Sequence, residues 1–188
     1  MIRLTALLPA IFLSAAAGAQ RAPEYPTLVP QFLKACVEGP LNFAGRQAAI
    51  AVDSGWTSEA PTVEVKNFNI SAALEKNFDF SKPVEVKQWS RTVDGVPVRL
   101  VLASFPDKRR YPALCGMVVG PVRHGWPYDV AFSAGVKAIG LKGKSTDLPH
   151  YFEYSGKVDG GTHPVRAELS GRTRVVADKD AMHLYIAF

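Results

Sequence analysis

Past its first residues the chain contains no apolar stretch near the ~20 residues a membrane-spanning helix needs, so no later segment reads as a bilayer span. Cysteine is scarce, with two in 188 residues. There is no Cys-x-x-Cys to suit a redox centre, and two distant thiols cannot make a zinc site. The four histidines, His124, His150, His163 and His183, lack metal-ligand spacing such as a pair on one helical turn. No metal and no cofactor is therefore expected. The basic residues are scattered. Their densest run, Lys108-Arg109-Arg110, lies between Pro106 and Pro112 and reads as a solvated loop. Nucleic acid is not expected as a partner, because its footprint is a basic stripe with interleaved aromatics along one element. There are no internal repeats. What remains is 47% apolar and 21% charged, too apolar for disorder and ordinary for one globular domain.

The one extreme stretch is the N-terminus. Arg3 supplies a positive start, residues 4–13 are apolar apart from Thr5 and Pro9, and Ala17-Gly18-Ala19 places alanine at both key positions of a cut before Gln20. That is the three-part plan of a secretory signal peptide, and the apolar run is too short for an anchor. The expected organisation is a signal peptide over 1–19, an extended leader over 20–26 and a single α+β domain over 27–188. Cleavage near Ala19/Gln20 removes one positive charge, Arg3, and lowers the formal net charge from +5 to +4. The exported part is expected to be soluble, in the periplasm or outside the cell.

Both thiols, Cys36 and Cys115, lie in that exported part. An even count in an oxidising compartment argues for one disulfide closing a long loop.

Along the chain, Thr27 is a candidate helix cap. Val29, Phe32, Leu33, Cys36 and Val37 recur at three- and four-residue steps, which marks one buried face of a helix. Gly39-Pro40 stops it. A second helix is expected over 42–54, with Phe43, Ala44, Ala48, Ala51 and Val52 available for packing. Gly55 is expected in a left-handed position after it, and Trp56 to fold back on it. Val63 and Val65 alternate with polar residues, and 71–77 can form a helical turn or two. The clearest local signal is 84–93, then Asp94-Gly95, then 96–103, a β-hairpin whose turn needs positive φ at both central residues. Residues 113–119 read as a central strand carrying Cys115. Pro127 opens a third helix over 127–139, with Tyr128, Ala131, Phe132, Val136 and Ile139 inward and Gly140 ending it. Strands follow at 151–154, 164–169, 174–177 and 183–188. Strands joined by tight turns, with helices in separate blocks, give an α+β class. The arrangement expected is a mostly antiparallel sheet with an N-terminal αα-hairpin and one further helix packed on it. The disulfide would clamp the first helix to the sheet.

Two motifs imitate catalytic signatures. Residues 138–145, ending Gly143-Lys144-Ser145, resemble a phosphate loop, but the chemistry needs a strand before the loop and a helix after it. Here a helix precedes and Asp147-Leu148-Pro149 opposes a following one, so the segment reads as a solvated Gly/Lys turn. Ala131-Phe132-Ser133-Ala134-Gly135 approaches a nucleophile elbow, which needs a strand-to-helix turn. Ser133 falls inside the third helix instead, with His150, His163 and His183 downstream. The segment His124-Gly125-Trp126-Pro127-Tyr128 combines aromatics, a histidine and a turn, so His124, Trp126 and Tyr128 are the candidate binding surface, and a helix entry with Trp126 packed is the plainer alternative.

No catalytic constellation survives, and the leading expectation is a non-catalytic exported module binding an unknown small molecule or exported protein. Two rivals are a small secreted serine hydrolase using Ser133 with a downstream histidine, and an inhibitor or immunity-type partner of an exported enzyme.

Overall fold

A computed structural model describes residues 25–63, 83–106, 111–122, 126–145, 152–157, 164–170 and 181–188. Within them eight strands make one antiparallel sheet: β1 Thr57–Glu59, β2 Glu85–Val93, β3 Val96–Ser104, β4 Ala113–Pro121, β5 Lys142–Ser145, β6 Phe152–Gly156, β7 Val165–Ser170 and β8 Ala181–Ala187. Their spatial order is β1-β2-β3-β4-β8-β7-β6-β5, so the final strand returns to the middle beside β4. The helices, α1 Leu28–Phe32 with a π-helical turn Leu33–Val37, α2 Phe43–Ala51 and α3 Trp126–Ala138, pack on one face. The class is α+β, with the helical pair and the further helix as read from the sequence. Among the described residues no helix is long and apolar enough to cross a membrane.

The hairpin forms as its turn chemistry dictates. Asp94 and Gly95 take φ of 52° and 79°, and Val93 pairs directly with Val96. Continuous apolar character predicted an interior place for the next strand, and β3 and β4 are both interior, with Leu100, Val101, Leu102 and Ala103 fully buried. Alternation then divides the sheet. Leu100, Leu102, Cys115, Met117, Leu184 and Ile186 face the helices, while Val101, Ala103, Leu114, Tyr185 and Ala187 form a smaller cluster on the far face.

The first helix differs from a regular α-helix. Its second half is a π-turn, closed by Glu38 N–H donating to the Leu33 carbonyl at 2.9 Å. The extra residue per turn rotates the exit, so Ala35, Cys36 and Val37 are all buried while Leu33 is only partly so. This brings Cys36 to Cys115, with a Cα–Cα distance of 5.4 Å, and the disulfide ties the helix to β4. Thr27 does not cap with its side chain; its backbone N–H donates to Asp94 Oδ2 at 2.9 Å, which ties the helix start to the hairpin turn.

Asn42 caps α2 by accepting from the Gly45 N–H at 2.8 Å, and the helix stops at Ala51, short of the expected end. Its buried face is also different. Arg46 and Ile50 point inward, Phe43 is half-buried, and Ala44, Ala48, Ala51 and Val52 are exposed. The cause is electrostatic. Arg46 is buried at 1% exposure and donates Nε to the Pro40 carbonyl at 2.8 Å and Nη1 to the Ala35 carbonyl at 3.3 Å. It thereby satisfies the Ala35 carbonyl in the first helix's last turn and the Pro40 carbonyl in the connection beyond it. Gly55 is not left-handed. The Arg91 guanidinium lies where a Cβ would sit, so a side chain there would have to displace Arg91, a matter of contact rather than of backbone conformation. Trp56 does fold into the core, with Arg91 stacked 5.6 Å from its ring centre.

Helix α3 buries Tyr128, Phe132 and Val136, and Gly140 at φ 89° follows its end. Phe132 packs 5.8 Å from Phe32 and 5.9 Å from Tyr154, joining α1, α3 and the sheet. Residues 142–145, expected as a solvated turn, are instead edge strand β5 paired with β6. A short Lys/Gly-rich edge strand is paired through its backbone and carries little apolar periodicity to read. The expected strand at 174–177 and helical turn at 71–77 lie outside the described residues, as does Val65.

Candidate functional site

The most chemically distinctive group is a charged cluster on the sheet face away from the helices. In β7, Val165, Ala167 and Leu169 join the main core, which turns Arg166 and Glu168 to the far face. In β8, Met182, Leu184 and Ile186 do the same, which turns His183 and Tyr185 to the far face. The register sets Glu153, Glu168, Tyr185 and Gly116 in one row across β6, β7, β8 and β4.

Two carboxylates directly opposite each other repel. Arg166, one step along β7 on the same face, resolves this. Its Nη2 is 2.9 Å from Glu153 Oε2 and 2.6 Å from Glu168 Oε1, and its Nε donates to Glu168 Oε1 at 2.7 Å. Glu168 is wholly buried and Arg166 nearly so, whereas Glu153 is half-buried. Tyr185, also buried, stands where this charged half meets the apolar cluster of Val101, Leu114 and Ala187. Burial holds the half-buried His183 below its ordinary pKa and favours its neutral form. Paired ions, a phenol and an imidazole thus share one face, of which Glu153 and His183 are the least buried.

The residues singled out from the sequence lie elsewhere. His124 is outside the described residues, and Trp126 opens α3. Tyr128 is buried on the helix face, and its hydroxyl accepts from the Tyr25 N–H at 2.9 Å. Ser133 sits within α3, half-buried, with the sheet between it and His183. His150 and His163 lie outside the described residues. Gly143-Lys144-Ser145 are in β5, and residues 146–151 lie outside the described residues. Among the described residues no group of three His, Cys, Asp or Glu could hold a metal ion.

Sequence reasoning missed Arg166, Glu168, Glu153 and Tyr185. The signal was present as alternation in Val165-Arg-Ala-Glu-Leu169. Alternation announces a second face but not whether that face is buried, so the charges read as solvated.

The fold and cluster define a class, a disulfide-linked antiparallel sheet with helices on one face and buried ion pairs on the other. No protein-family model, no curated protein and no solved structure matches the chain.

Proposed function

We propose that the chain is an exported, non-catalytic binding module in which the half-buried Glu153 and His183 meet a partner, while the buried Arg166–Glu168 pair holds Glu153 in place. Export rests on the N-terminal plan of residues 1–19 and on the disulfide, which suits an oxidising compartment. The observation carrying the recognition reading is the fully buried Glu168 paired with Arg166. Apolar residues of similar volume often stabilise such a position as well or better, which supports a role for the pair other than packing. Neighbouring strands hold these groups rigidly, as a binding site requires. The partner is a small polar molecule, or a polar side chain of another exported protein.

The test is retention from an extract of exported proteins and metabolites, analysed by mass spectrometry. It compares wild type with Arg166→Gln/Glu168→Gln, each first shown to be folded by near-ultraviolet circular dichroism. The wild type retains a species that the double variant loses, while Trp126→Ala, in the surface first suggested by sequence, still retains it. Equal retention by wild type and double variant overturns the assignment. A fluorophosphonate probe leaves Ser133 unmodified; covalent labelling there would establish hydrolase chemistry instead.

A further inference from the structure

We draw no further inference here: the strongest candidate, the Lys34–Asp53–Arg91 side-chain cluster beside Trp56 where the helical hairpin meets β2, closes on itself through its own ion pairs and hydrogen bonds and so carries no chemistry by which a ligand or partner could be named.

Discussion

Replacing both cysteines, Cys36→Ala/Cys115→Ala, removes the only covalent tie between the first helix and β4. The two positions are 79 residues apart, and releasing a closed loop of that length raises the entropy of the unfolded chain by an amount worth about 4.5 kcal/mol. Domains of this size are stable by roughly 5–15 kcal/mol, so the loss is a large share of the whole. At about 2–4 °C per kcal/mol the melting temperature falls by roughly 9–18 °C. Two further effects oppose each other: losing buried sulfur leaves a small void, while residual structure in the unfolded chain without the cross-link lowers the entropic gain. Urea unfolding followed by the fluorescence of Trp56 and Trp89, both buried, measures the difference. The slope against urea also rises, because the uncross-linked chain exposes more surface on unfolding. A variant within about 1 kcal/mol of the wild type would refute the entropic reasoning. Alkylation of Cys36 and Cys115 in urea without reductant would refute the bond itself.

Three other outcomes are expected. Gly95→Ala places a Cβ at φ 79° in the hairpin turn and costs about 1–2 kcal/mol, read as a lower urea midpoint; an unchanged midpoint contradicts the turn assignment. Arg166→Gln leaves Glu153 and Glu168 facing each other across β6 and β7 and costs about 3–5 kcal/mol. Adding Glu168→Gln relieves part of that, and a double-mutant cycle gives a coupling of about 1–3 kcal/mol, whereas strict additivity would show that the pair does not interact. His183 is held below its ordinary pKa by burial, so on acidification the unfolded chain takes up a proton there before the folded one. Stability therefore begins to fall as pH drops through about 6.5, the unfolded value, and keeps falling until the lower folded value is passed. His183→Gln flattens that part of the pH profile, and an unchanged profile counts against the assignment.

Much of the fold is legible locally. Asp94-Gly95 specifies a turn through backbone sterics alone, Phe132 and Val136 mark one face of α3, and the alternation of β7 and β8 needs no knowledge of their neighbours. The candidate site is less so. Arg166, Glu153 and Tyr185 come from three strands, and their approach depends on pairing register, which no short window contains. The π-turn around Cys36 and the inward turn of Arg46 were hidden for a related reason. Cys36 meets the sulfur of Cys115, 79 residues away, and Arg46 meets the carbonyls of Ala35 and Pro40, which come within its reach only when the chain turns back between the two helices.

Periodicity, turn chemistry and an even pair of thiols were enough by themselves to establish the α+β class, the hairpin, the third helix and the disulfide, because each follows from interactions between residues near in sequence or from simple counting. The return of β8 to the centre of the sheet, the buried guanidinium of Arg46 and the sealing of Glu168 against Arg166 were decided only by tertiary structure. Whether a polar side chain meets water or an ion partner depends on what lies across the sheet, and that is a property of the assembled layers.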